Sequence, residues 1–172
     1  NYPRAYKMID ELQPQAVIFS DGGPGCRWVG NEKGFAGATN WSFLRAGEVY
    51  PGYPNYRELQ YGHADGNQWV AAECDVSIRP GWFYHPEEDG RVKTVDELTD
   101  LYYRSVGHNA TLLLNFPVDR DGLIHPTDSA NAVNFHKNIQ KQLEKNLLAG
   151  LSPKASDERG KAFSAKDRKS VV

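Results

Sequence analysis

The sequence predicts a parallel α/β fold. Three observations carry that expectation. Residues 16–19 (AVIF) and 110–116 (ATLLLNF) are short continuous apolar runs, the pattern of strands covered on both faces. Helical spacing appears between and around such runs rather than period-two alternation alone. The order reads helix, strand, long loop, strand, helix, strand, helix, which is the alternation of parallel sheets.

Each element has its own signal. Ala5, Met8, Ile9 and Leu12 share one helical face over residues 5–12, and Pro14 stops that helix. The run 16–19 ends in Ser20-Asp21-Gly22-Gly23-Pro24-Gly25, a turn-rich stretch. Polar residues placed directly after such a strand stand where α/β proteins carry their chemistry. Residues 22–67 show no sustained period, and a loop of that length in one domain is usually functional. Residues 68–79 alternate in part and read as a strand broken by Pro80-Gly81. Thr94-Val95-Asp96-Glu97 is a capping box opening a helix with Val95, Leu98, Leu101 and Tyr102 on one face; Gly107 is expected to end it. After the run 110–116, Thr127 or Asp128 is expected to cap a last helix bearing Ala132, Phe135, Ile139, Leu143 and Leu147, closed by Gly150. Residues 151–172 are mixed-charge and poor in large apolar side chains, the composition of a linker.

Composition narrows the function. The 172 residues suit one domain with a real core. A formal net charge of −2 argues against a surface built to hold nucleic-acid phosphates. No apolar run reaches the roughly 20 residues of a membrane helix. Cys26 and Cys74 make no disulfide framework, and the five histidines show no paired ligand spacing, so neither a metal nor another cofactor is expected. No G-x-S-x-G and no G-x-G-x-x-G occurs. Asn40-Trp41-Ser42 and Asn109-Ala110-Thr111 are glycosylation sequons.

The remaining signal is carboxylates beside indoles. Asp21, Glu32, Glu48, Glu73 and Asp75 are interleaved with Trp28, Trp41, Trp69 and Trp82. A glycosidase cleft needs this mixture: one carboxyl to protonate the leaving oxygen, another to attack or activate water, and aromatic faces on which the sugar stacks. Each residue also has a plainer role. Asp21 suits a turn, Glu73 and Asp75 suit the polar face of a strand, and any single Trp suits a core.

Three words resemble one family. Phe19-Ser20-Asp21-Gly22-Gly23-Pro24-Gly25 with Arg27-Trp28-Val29-Gly30-Asn31-Glu32 is similar to glycoside hydrolase family 29, the α-L-fucosidases. So are Glu73-Cys74-Asp75-Val76-Ser77-Ile78-Arg79-Pro80-Gly81-Trp82-Phe83-Tyr84-His85 and Leu112-Leu113-Leu114-Asn115-Phe116-Pro117 with Asp119-Arg120-Asp121-Gly122. The words stand in the family's order across roughly residues 14–128.

The resemblance implies a retaining enzyme that releases L-fucose from fucosylated oligosaccharides or glycoconjugates. The Gly-Asn-Glu loop resembles the branch preferring α-1,3/1,4 linkages. Glu32 would be the acid/base. Arg27, Trp28 and Trp82 would line the substrate, with Asp21, Glu73 and Asp75 near it. The resemblance also implies a (β/α)₈-like TIM barrel, of which residues 1–150 would be the C-terminal half, with 151–172 leading toward a further domain such as a β-sandwich. The family's nucleophile lies in a Trp-Phe-Asp-Gly word, which this sequence lacks; it would precede Asn1, and this piece alone would be inactive. The remainder of the barrel would be its partner, with no nucleic acid and no membrane, in the periplasm or outside the cell. The rival expectation is a sugar-binding protein that kept the cleft and lost catalysis.

Overall fold

The computed structural model describes residues 1–151. The expected linker, residues 151–172, lies outside the described residues but for Leu151. Residues Asn1–Ile139 form one compact unit. A second begins at Gln140, where the described chain finishes its last helix and turns through Ala149 N–H to Asn146 O and Leu151 N–H to Leu148 O.

The expected alternation is present. In chain order the elements are α1 (Tyr2–Leu12), β1 (Phe19–Ser20), β2 (Cys26–Trp28), β3 (Phe43–Leu44), β4 (Gln68–Trp69), β5 (Ala71–Ser77), α2 (Val95–Ser105), β6 (Ala110–Asn115) and α3 (Pro126–Leu143). Short 3₁₀ turns occupy Tyr56–Gln60, Pro86–Arg91 and Val106–His108. One four-stranded sheet runs β1-β2-β5-β6, every pair parallel. A second, two-stranded antiparallel ribbon pairs β3 with β4.

Register divides the sheet into two unlike faces. Trp28 pairs with Glu73, Glu73 with Thr111, Asp75 with Leu113 and Ser77 with Asn115. Paired residues in a parallel sheet share a face and alternate residues oppose them. Ala72, Cys74 and Val76 therefore point to the other side, with Leu112 and Leu114. That second face is the covered one: Val76 and Ile78 pack with Leu98 and Leu101 of α2, against Leu112, Leu114 and Phe135. The first face keeps the polar residues and leaves Leu113 and Phe19 exposed.

Several boundaries differ from the sequence reading, each for a local reason. Only Phe19 of the run 16–19 enters β1; Val17 is 73% and Phe19 47% exposed, so among the described residues the run is not covered on both faces. The loop 22–67 contains β2 and β3, and the strand 68–79 divides at Val70, whose N–H bonds Ser42 O in register with the β3–β4 ribbon before β5 joins the parallel sheet. The capping box forms as expected: Glu97 N–H donates to the Thr94 hydroxyl and Thr94 N–H donates to the Glu97 carboxylate. Gly107 does not end α2. A 3₁₀ turn follows Ser105, and Asn109 takes the left-handed conformation, with φ of 60°. The last helix opens at Pro126 and stops at Leu143, so Leu147 and Gly150 lie beyond it.

Two buried arginines hold the long connections. Arg27 is fully buried and donates to Leu59 O (3.0 Å), Val70 O (2.6 Å), Trp41 O (2.9 Å) and Asn40 Oδ1. One side chain thus ties β2 to two separate stretches of the loop and to the junction of β4 and β5. Arg79 is equally buried and takes the Asp128 carboxylate in a two-pronged pair, Nε to Oδ2 at 2.8 Å and an NH to Oδ1 at 2.9 Å. Asp89 adds a second carboxylate at 2.9 Å. The Arg79 pair fastens the start of α3 to the segment leaving β5. The two sequon asparagines also clasp each other: Asn40 Nδ2 donates to Asn109 O, and Asn109 Nδ2 to Asn40 O.

Candidate active site

Glu32 is placed by the turn that ends β2. Val29 N–H still bonds Glu73 O, and then Gly30 turns the chain at φ +77°. A Cβ at Gly30 would collide with Tyr56 O, so glycine is required for the close approach as well as for the angle. Asn31 brackets the next residue. Its Oδ1 accepts from Lys33 N–H at 3.0 Å and its Nδ2 donates to Phe35 O at 3.0 Å. Glu32 sits inside that bracket with its side chain exposed to solvent.

Trp82 reaches the same place from β5. Beyond Ser77 the ladder continues through Ile78 N–H to Asn115 O. Arg79 anchors the next step, and Pro80-Gly81 then turns the chain away. Asn115, the last residue of β6, donates through Nδ2 to Ser77 Oγ at 3.0 Å and to Trp82 O at 3.1 Å. The half-buried indole then donates its Nε1–H to Glu32 Oε2 at 3.0 Å. Glu32 follows β2 and Trp82 follows β5, two parallel neighbours, so both leave the sheet at its carboxyl edge.

A second indole–carboxylate pair lies within the sheet. Trp28 Nε1 donates to Asp75 Oδ1 at 2.7 Å. Burial pushes the Asp75 carboxyl above its ordinary range; the Trp28 hydrogen bond opposes that, and the charge of Glu32 adds to it. Glu73, one alternation back on the same face, is raised by burial first and by Asp75 second. Glu73 Oε1 is buried and has no hydrogen-bond partner among the described residues. Desolvation and like charge thus act together on Asp75 and on Glu73, the environment that tunes carboxyls for proton transfer.

The structure therefore brings Glu32 and Trp82 together, and Trp28, Asp75 and Glu73 beside one another. Asp21 and Arg27 are used elsewhere. Asp21 follows β1, also at the carboxyl edge, but its carboxylate accepts from Gly52 N–H at 2.6 Å and braces the loop. Three of the four Arg27 hydrogen bonds go to the loop and the fourth to Val70 O, between β4 and β5; burial lowers its guanidinium to about 10, which leaves it charged at neutral pH. Glu48 pairs only with Arg45, on the surface. Trp69 stacks edge-on against Phe43 at 5.6 Å on the β3–β4 ribbon. Asn115 was not singled out by the sequence as a site residue; an asparagine ending an apolar strand was the available signal. Two cavities of about 440 and 450 Å³ include none of the candidate residues in their lining.

No family model matches the chain. Comparison with individual proteins is more informative. The chain is 41% identical to Alpha-L-fucosidase 1 of Arabidopsis thaliana, an alignment covering 97% of the chain and 33% of the relative. Among solved structures it superposes on a glycoside hydrolase 29 family member from an unknown rumen bacterium with a TM-score of 0.82 and 45% identity, over 92% of the chain and 28% of that protein. It also superposes on a Ruminococcus gnavus GH29 fucosidase in complex with fucose, with a TM-score of 0.74 and 30% identity, over 87% of the chain and 31% of that protein. The chain thus spans about a third of the length of its curated relatives, 33% and 30% of the two. Across that span it is similar to α-L-fucosidases and to solved structures of glycoside hydrolase family 29.

Proposed function

We propose that the full-length protein is a retaining α-L-fucosidase releasing L-fucose from α-1,3/1,4-fucosylated glycans, and that this chain supplies its acid/base, Glu32. The observation that carries the reading is the Glu32–Trp82 pair at the carboxyl edge of a parallel sheet, where barrel enzymes hold their chemistry. Glu32 protonates the glycosidic oxygen as the bond to fucose breaks, then takes a proton from the water that releases the sugar. Its solvent-exposed carboxyl is open to the departing glycan. Trp82 offers an aromatic wall beside it for the apolar edge of fucose.

A retaining mechanism needs a second carboxyl about 5–5.5 Å away that is ionised when it attacks. Asp75 is poorly suited, because burial and the Glu32 charge both favour its protonated form. The proposal therefore assigns the nucleophile to a segment outside these 172 residues. Asp75, Glu73 and Trp28 form the polar floor below the acid/base. The other half of the barrel wall is then likewise supplied from outside them, and residues 1–172 alone should release no fucose.

The experiment is fucose release by the full-length protein from α-1,3-, α-1,4- and α-1,2-fucosylated oligosaccharides. Release from the first two and little from the third supports the reading. Equal release from all three overturns the linkage assignment. Saturable fucose binding without release from any identifies the sugar-binding alternative.

A further inference from the structure

We propose that Trp82 is a positioning residue for Glu32, fixing by its indole N–H which carboxyl oxygen delivers the proton, and that Asn115 sets Trp82 for this task. The inference rests on the fucosidase reading and concerns how the same site is controlled.

The Glu32 side chain is exposed, and Trp82 Nε1 is its sole hydrogen-bond partner among the described residues. Glutamate has three rotatable bonds and, on an open turn, would sample many directions. A single donor at 3.0 Å therefore decides where this carboxyl points. It also makes the two oxygens unequal. Oε2 receives the indole hydrogen, so a proton placed on Oε2 competes with that hydrogen bond. Oε1 has no such donor and is the oxygen left to carry the proton. A general acid must stand within hydrogen-bond reach of the leaving oxygen. Reserving one oxygen for that task removes half of the non-productive arrangements.

The donor is itself held. Asn115 donates to Trp82 O at 3.1 Å and to Ser77 Oγ at 3.0 Å, so the main chain of Trp82 is pinned to the ends of β5 and β6. Lys93 Nζ bonds Ser77 O at 2.7 Å, and Arg79 is locked by Asp128. The indole is thus the end of a rigid chain that begins in the sheet, whereas Glu32 is carried on a turn. Rigid support reaches the acid/base through Trp82.

This differs from a purely stacking role for the ring, and one substitution separates them. Trp82→Phe keeps an aromatic face and removes the N–H. It is made in the full-length protein, alone and with Glu32→Gln, and assayed on a fucosylated oligosaccharide and on an aryl fucoside with a good leaving group. Positioning predicts a fall in kcat of about tenfold on the oligosaccharide, the loss of one hydrogen bond to a charged group, with KM little changed. For the aryl fucoside kcat/KM, which reports formation of the fucosyl-enzyme, should be nearly spared, since that step needs little protonation. In the Glu32→Gln background Trp82→Phe should add less than about twofold, the non-additivity expected of residues acting as one unit. Asn115→Ala should give the same substrate pattern in milder form, and Asn115→Ser, which keeps a donor, should recover part of it. An equal loss on both substrates, carried by KM, or an undiminished loss in the Glu32→Gln background, overturns the proposal.

A second readout does not depend on turnover. The indole ¹⁵N–¹H signal of Trp82 should move when Glu32 is replaced by Gln, and an unchanged signal overturns the contact. Wild-type protein that turns over neither substrate sinks the fucosidase reading, while this signal still judges the contact on its own.

Discussion

Asp128→Ala should be among the costliest single substitutions in the chain, although Asp128 touches no candidate site residue. Asp128 and Arg79 are both fully buried, joined at 2.8 and 2.9 Å. Removing the carboxylate leaves two guanidinium N–H groups without acceptors and a buried cation. Breaking a buried pair from one side costs about 3–5 kcal/mol. Asp89 remains at 2.9 Å and the Tyr84 ring lies 4.7 Å from the guanidinium carbon, so the lower end, about 3 kcal/mol, is the expected loss. The damage should be local first, because Arg79 precedes Trp82 by three residues and Asp128 stands in the first turn of α3. The assay is urea unfolding of the full-length protein with hydrogen exchange read over residues 78–93. Asp128→Ala should lower the midpoint and expose those amides. Asp100→Ala, which breaks an exposed pair with Arg104 at 3.4 Å, should cost at most about 1 kcal/mol and leave them protected. Arg79→Met with Asp128→Leu should recover part of the loss, since the buried cation leaves with its partner while Asp89, 36% exposed, loses Arg79 and keeps His125 at 3.5 Å. If Asp128→Ala costs no more than Asp100→Ala, the Arg79 pair does not hold this segment and the argument fails.

Two further substitutions test the site's surroundings. Glu73→Gln should stabilise the protein at neutral pH, because burial holds the Glu73 carboxyl above its ordinary range and ionising it is a cost carried only by the folded state. The folded state then binds more protons than the unfolded one between the ordinary and raised values, so wild-type stability falls as pH rises through that window. Melting temperatures across pH should show the Gln variant's advantage at neutrality vanishing in acid; a difference independent of pH, or a loss at neutrality, refutes it. Gly30→Ala should destabilise by about 1–3 kcal/mol or more, since the position combines positive φ with a collision at Tyr56 O. It should cut turnover further than stability by displacing the Glu32 turn, and full activity in a folded variant contradicts this account of the turn.

The parts of the fold legible in the sequence are those whose cause is local. The capping box at Thr94 and the apolar face Leu98–Leu101 lie within one stretch of chain, and α2 forms there. The run at 110–116 gives β6 because a short continuous apolar stretch suits a strand of a parallel sheet. β2 was not legible. It has three residues, its centre is an arginine, and its stability comes from β1 and β5 on either side together with four acceptors between residues 40 and 70. Arg27 illustrates the same limit for the site: the resemblance points to a sugar-lining residue, while its bonds to distant carbonyls are visible only in three dimensions. Glu32 and Trp82 were both singled out by residue type and by the family words, yet their hydrogen bond spans 50 positions and no spacing rule could reveal it. The end of α3 at Leu143 was misjudged for the opposite reason, because Leu147 continues the helical period after the helix has stopped.

The central claim is that Glu32 is the acid/base, and its removal in the full-length protein tests this most directly. Glu32→Ala should slow release from a fucosylated oligosaccharide by about 10²–10⁴-fold, the usual contribution of a general acid. Formation of the fucosyl-enzyme from an aryl fucoside with a good leaving group should be nearly unaffected, because that group departs without a proton. Added azide should then restore turnover of the aryl substrate and yield α-fucosyl azide, with the configuration retained, since a small anion enters where Glu32 had been, displaces the nucleophile from the β-fucosyl-enzyme and needs no general base. Equal losses on the two substrates, with no azide product, would contradict the assignment and return Glu32 to a structural role.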